Sequence, residues 1–187
     1  MEEENYNQTF NKLISPNLSE KEFENCEFTN CDFTNANFEY SSFENCVFKN
    51  CNLSLTKIKE AKFQGLTFEE CKVVGLKFNS LNNIVMDFNF YRCIMSNCDF
   101  REIRIKNTKF LECLISDCDF FGTDLENSNF RKSEFRNSMF QNTDLRKCNF
   151  LETSGLGINP NKNKIFGAKF DFQDAEMLLK SFGIKFE

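Results

Sequence analysis

Ten cysteines stand in a chain of 187 residues that has no histidine. Thiols could form disulfides, ligate zinc or act as nucleophiles. A nucleophilic thiol is usually activated by an adjacent base, most often histidine, and none is present. Zinc sites favour close pairs such as C-x2-C, and the chain has none. Position argues the rest. Cys26, Cys31, Cys46, Cys51, Cys71, Cys93, Cys98, Cys113, Cys118 and Cys148 each lie two residues before a large, mostly apolar residue. Several recur at intervals of 20: Cys26 and Cys46; Cys31, Cys51 and Cys71; Cys93 and Cys113; Cys98 and Cys118. Such spacing predicts ladders of inward thiols that pack as small hydrophobes. Successive rungs about 4.8 Å apart exceed the roughly 3.5–4.5 Å Cβ spacing that a disulfide needs. Reduced thiols in turn suit a cytoplasmic protein.

No other catalytic set presents itself. Aspartates and glutamates are scattered over outward positions, and neither a P-loop nor a dinucleotide fingerprint occurs. The expectation is a protein that is not an enzyme and uses no metal or cofactor. Function then falls to the outer surface and the ends.

The elements that position these residues follow one rule. From Cys26 to Leu53 the chain reads CEFTN CDFTN ANFEY SSFEN CVFKN CNL, a small residue, a polar one, Phe or Leu, then two polar ones. A helix repeats near 3.6 and a strand at 2, so a period of five fits neither alone. It fits a chain that turns a corner every few residues and stacks on itself. The large centres run at intervals of five from Leu18 to Phe78, slip by two, and resume from Val85 to Phe150. Of the 25 Phe, 17 occupy centres. Large and small inward positions alternate, so the interior can interdigitate without voids. The last residue of each five is often Asn, as at Asn25, Asn30, Asn35, Asn45, Asn50, Asn97, Asn107, Asn127, Asn137 and Asn142. Asn tolerates the left-handed backbone of a corner.

Three departures frame the repeat. Residues 1–17 precede it, with Phe10, Leu13 and Ile14 as an N-terminal cap. The slip lies in the segment NSLNNI, residues 79–84, an irregular corner that is either an accommodated insertion or a short binding loop. Nearby, Leu66, Leu76, Phe88 and Ile103 put large side chains at small positions, and Leu66 should stack with Phe88 in a local swelling. The repeat domain ends near residue 155. Residues 156–187 hold a Gly/Asn/Pro connector, one last extended side at Ile165 to Phe172, and a helix capped by Asp171 with Asp174 three residues on. Ala175, Leu178, Leu179 and Phe182 fall on one face of that helix, Gly183 stops it, and Ile184 and Phe186 form an apolar tail.

This five-residue grammar resembles the pentapeptide-repeat family from Leu18 to about Phe150. The resemblance implies an all-β fold, a right-handed quadrilateral β-helix of about seven coils at roughly 4.8 Å each, with a short C-terminal α-helix. The tail, GLGINPNKN followed by AEMLLKSFGIKF, is similar to the Qnr quinolone-resistance group and the microcin B17 immunity protein. That likeness implies a homodimer joined through its C-terminal ends, with Leu178, Leu179, Phe182 and Ile184 as dimerisation residues. It further implies a DNA mimic that binds DNA gyrase or topoisomerase IV and protects it from quinolones or a peptide toxin. A generic interaction scaffold with another protein partner is the alternative.

Charge and hydropathy set limits. The net charge of −5 is uneven: residues 1–80 hold 13 acids and 8 bases, residues 81–155 hold 11 and 10, and residues 156–187 hold 4 and 5. This is the wrong sign for direct nucleic-acid binding. No apolar run is long enough for a membrane helix, and the acidic start MEEENYNQTF is not a secretory signal. The side centred on Phe38, Ile58, Phe78, Phe100 and Phe120 carries Glu39, Glu60, Asp99, Glu102 and Asp119, the candidate partner-binding acids, interrupted by Lys57, Lys59, Lys77 and Arg101. A second side carries Glu22, Glu24, Glu44, Asp124, Glu126 and Asp144. A third shows outward Leu55, Val74, Ile94 and Leu114.

Overall fold

The computed structural model describes residues 4–82, 84 and 86–184. The five-residue rule is obeyed at the level of backbone angles. Asn25, Asn30, Asn35, Asn45, Asn50, Asn97, Asn107, Asn127, Asn137 and Asn142 all have positive φ, near 50–64°. Each such residue bends the chain through a corner, and a short extended side follows. Every strand pairing is parallel. The result is a parallel β-solenoid with a single short helix at its C-terminal end.

Three walls contain strands. Thr9–Asn11, Glu27–Thr29 and Val47–Lys49 pair in order and lead into Lys62–Glu69. Glu4–Tyr6, Glu22–Glu24 and Ser42–Glu44 form the adjoining wall. Both walls meet in Lys62–Glu69, which turns the corner as one continuous strand. Lys72–Val74, Ile94–Ser96, Leu114–Ser116 and Glu134–Arg136 form the third. The fourth is a ladder of single bridges, Asn17 to Asn37 to Lys57 and Lys77 to Asp99 to Asp119 to Met139.

The core is a set of columns running along the rod. Phe10, Phe28, Phe48, Phe68, Phe90, Phe110, Phe130, Phe150 and Phe170 stack face to face without a break, with centroids 4.8–5.2 Å apart. Phe78, Phe100, Phe120 and Phe140 make a parallel column on the fourth wall. Rings of neighbouring columns meet edge to face, as Phe110 and Phe120 do, the other geometry that aromatic quadrupoles favour.

The first column extends past both ends of the regular repeat. Residues 4–17 are more than a cap: they form a coil of their own, in which the pairings from Glu4 to Ile14 keep a register of 18 and Asn17 returns to 20. That shorter register, and Asn5 in a centre position opposite Phe23, hide this coil from a five-residue count. At the slip, Phe78–Ser80 winds into a 3-10 turn and Leu81 is buried. The register shifts between Phe63, opposite Met86, and Leu66, opposite Phe88. Leu66, Leu76 and Phe88 are fully buried and Ile103 nearly so. Large residues fill small positions here because the longer coil leaves a wider interior. The expected centre at Val85 lies outside the described residues.

The helix is shorter than its sequence pattern suggests. Phe172–Asp174 forms a 3-10 turn, and α1 runs only over Ala175–Lys180. Asp171 does not cap it; its carboxylate accepts the Glu152 backbone N–H instead, at 2.5 Å. Gly183, with φ +79°, ends the turn, and the Ile184 N–H reaches back to the Leu179 carbonyl.

Candidate partner-binding surface

All ten cysteines are buried and free. Where the small inward position holds Cys, Ser or Thr, it does more than fill space. The Cys46 thiol donates to the Phe23 carbonyl at 3.4 Å, Cys71 to Phe48 at 3.2 Å and Cys148 to Leu125 at 3.0 Å. Ser and Thr at equivalent places do the same: Thr123 to Phe100, Ser133 to Phe110 and Thr143 to Phe120. This site therefore selects for a small residue with a weak donor, which Cys, Ser and Thr share. Burial pushes the Cys46 and Cys148 thiols up to about 12. Among the described residues no cluster of three or more metal-ligating side chains exists, and no helix is long and apolar enough to cross a membrane.

The outward acids sort into two groups. Asp and Asn one residue before a centre hold the next turn: Asp32, Asp99, Asp119, Asp124 and Asp144 each accept, through Oδ1, the backbone N–H two residues on. Several of these are also neutralised by bases. Arg101 forks onto Asp99 at 2.6 and 2.9 Å and lies 3.7 Å from Asp119. Burial opposes ionisation of Asp99, but the Arg101 guanidinium and backbone N–H outweigh it and hold the carboxyl below its usual range. Arg146 does the same for Asp144, and Lys106 and Lys147 hold Glu126 low. Arg104, Lys106, Arg146, Lys147 and Lys164 thus knit Asp124, Glu126 and Asp144 into a compensated network.

Glu22, Glu24 and Glu44 differ. They line a shallow cleft of about 210 Å³ with Tyr6, Phe23 and Ser42 near the N-terminal end. None makes an ion pair with another described residue. Glu39, Glu60 and Glu102 make none either, but they border clefts rich in bases. Of the five candidate acids, then, Asp99 and Asp119 stack as neighbours on the fourth wall, bound up in turns, while the three glutamates stand around the irregular corner. Among the apolar candidates, Leu55 and Ile94 are more than half exposed, and Ile94 pairs with Leu114 on the third wall.

The C-terminal end is the other unbalanced surface. Leu178 and Leu179 are half-buried, while Phe182 and Ile184 are exposed. Phe166 and Phe172 are nearly bare, at 83% and 95% exposure. Sequence reasoning passed over these two. Their signal was that both are Phe off the five-residue grid, where outward positions are mostly polar.

The family model described as the pentapeptide repeat region matches residues 21–89 and 83–159. The chain belongs to the pentapeptide-repeat family. Two solved structures of trypsin-treated QnrB1, described as a plasmid-mediated fluoroquinolone resistance protein, share its fold. One gives a TM-score of 0.67 at 16% identity, covering 96% of this chain and 99% of that one. The other gives 0.64 at 17% identity, covering 98% and 99%. No curated protein matches the chain in sequence.

Proposed function

We propose that this pentapeptide-repeat protein is a non-enzymatic, cytoplasmic protector of DNA gyrase or topoisomerase IV against quinolones or a peptide toxin. The observation that carries this reading is the likeness to QnrB1 along nearly the whole of both chains. The rod's surface supports it. Glu22, Glu24 and Glu44, which make no ion pair with a described residue, gather near the N-terminal end, and a protein surface that grips phosphates should accept them in place of a duplex. The bare Phe166, Phe172 and Phe182 at the other end support a homodimer joined there, which would roughly double the rod.

The test is gyrase supercoiling with and without a quinolone, with purified protein titrated in. Protection is expected, weakening as salt rises. Charge reversal of Glu22, Glu24 and Glu44 to Lys should remove it, and reversal of Glu39, Glu60, Asp99 and Asp119 measures the fourth wall separately. If neither set matters while Ile94→Asp with Leu114→Asp abolishes protection, mimicry is the wrong mechanism. If wild-type protein leaves gyrase and topoisomerase IV unaffected under all conditions, the alternative stands: a scaffold for another partner. The compensated charge network around Glu126 favours that second reading, since it gives phosphate-binding surfaces little to attract.

A further inference from the structure

We propose that the groove beside the irregular corner is a docking site for an acidic peptide segment carrying an apolar side chain. The groove holds about 430 Å³, within the range of ligand-binding pockets. Its floor is apolar and built by one omission. Gly75 has φ +73°, and the Leu55 side chain leans over it so closely that a Cβ there would sit 2.8 Å from Leu55 Cδ2. Leu55 itself is more than half exposed. The glycine lets the Leu55 side chain lie against the backbone, so the leucine forms an exposed apolar floor on which an apolar side chain can rest.

The rim has the opposite sign to the protein. Lys57, Lys59 and Lys77 border the groove with Glu39 as the one acid. Those lysines make no ion pair with any described residue, whereas most of the bases farther along the rod are engaged, as at Glu126 and Asp144. The Phe78–Ser80 turn, product of the slip, forms a saddle to a second cleft of about 670 Å³, with Lys59 and Ser80 common to both. The saddle extends the groove, so an extended segment has room on either side of its apolar anchor. Glu39, Glu60 and Glu102 flank the path and would repel a continuous phosphate backbone. Carboxylates spaced around one apolar side chain can meet the lysines and avoid them. The open shape favours a segment of a partner protein over an enclosed small ligand. This inference is independent of any effect on gyrase.

The test is fluorescence anisotropy of the full chain with three labelled probes: a short peptide with a central Phe flanked by Glu, the same peptide with Gly for Phe, and a duplex oligonucleotide. The Phe peptide is expected to bind at least about tenfold tighter than the Gly peptide, and the duplex not to bind. Lys57→Glu with Lys77→Glu should weaken the Phe peptide at least about tenfold. Leu55→Asn suits the left-handed corner that Leu55 occupies, as Asn35 does in the coil before, and should weaken the Phe peptide while the melting temperature holds. Equal binding of the Phe and Gly peptides, tighter binding of the duplex, no binding of any probe, or binding unchanged in both variants would each overturn the proposal.

Discussion

Each inward position is defined by what stands one coil above and below it. Phe130 is fully buried and stacks on Phe110 at 4.9 Å and Phe150 at 5.0 Å. Phe130→Ala opens a cavity between two rings and should cost about 3–5 kcal/mol in urea unfolding. Phe10 has a ring on one side of its stack only, Phe28, and is partly exposed, so Phe10→Ala should cost less. Equal losses at both sites would mean that the column does not carry the stability. The thiols give a second check. With Cys46 and Cys148 held near 12 by burial, the native protein should react slowly with a thiol reagent and fast in denaturant. Ser in place of Cys31, Cys51 and Cys71 should keep the fold, because Ser133 already does this work in the same ladder, accepting the Cys113 N–H and donating to Phe110. These inward residues were legible from spacing alone. The hydrogen bond that explains the choice of Cys was not, because its acceptor lies one coil earlier and the pattern shows size, not partners.

At the scale of turns and ends, stability depends on pH through the aspartate corners. The Arg146 fork holds the Asp144 carboxyl below its usual range, and Lys106 with Lys147 holds Glu126 below its own. A depressed folded value means that the contribution is complete above the unfolded values of about 3.9 and 4.3 and is lost as pH falls through the lower folded ones. Urea midpoints should fall below pH about 4, and Arg146→Ala should lower the midpoint at neutral pH while flattening that acid decline. An identical acid profile in the variant would rule the fork out as the cause. The helix gives the other test at this scale. Wild-type protein should scatter as the proposed homodimer, and Leu178→Asp with Phe182→Asp should turn it into monomer or aggregate; a wild-type monomer, or a dimer unchanged by the substitutions, would count against this interface. The Asn corners could be read from the sequence because Asn recurred more often than any other residue at one phase of five, although Glu, Lys and Gly hold the same left-handed corner elsewhere. The ion pairs across coils could not, since they depend on which long side chain reaches which neighbour. The helix was overdrawn because an apolar i, i+3, i+4 pattern does not show that Asp171 is engaged with Glu152.

The whole rod was legible in its middle and blurred at its N-terminal coil and its slip, where the period departs from 20, and at its C-terminal end, where the register of 20 persists while the five-residue pattern lapses. The N-terminal coil hid behind a register of 18, and the groove depended on an absent Cβ at Gly75. The same arithmetic makes the rod a ruler with a fixed gradation. A deletion of residues 110–129 removes one full coil, joins Lys109 to Phe130 and leaves every column in phase. That variant should fold, melt cooperatively and shorten by about 4.8 Å in solution scattering. Deletion of residues 125–129 alone rotates everything downstream by a quarter turn, sets Phe columns over Leu and Ile columns, and should melt far lower. Distance between the corner groove and the C-terminal end can therefore change across related chains only in whole coils, while the compass bearing of one relative to the other stays fixed. The two-residue slip marks the one described place where a coil was lengthened without turning the dial.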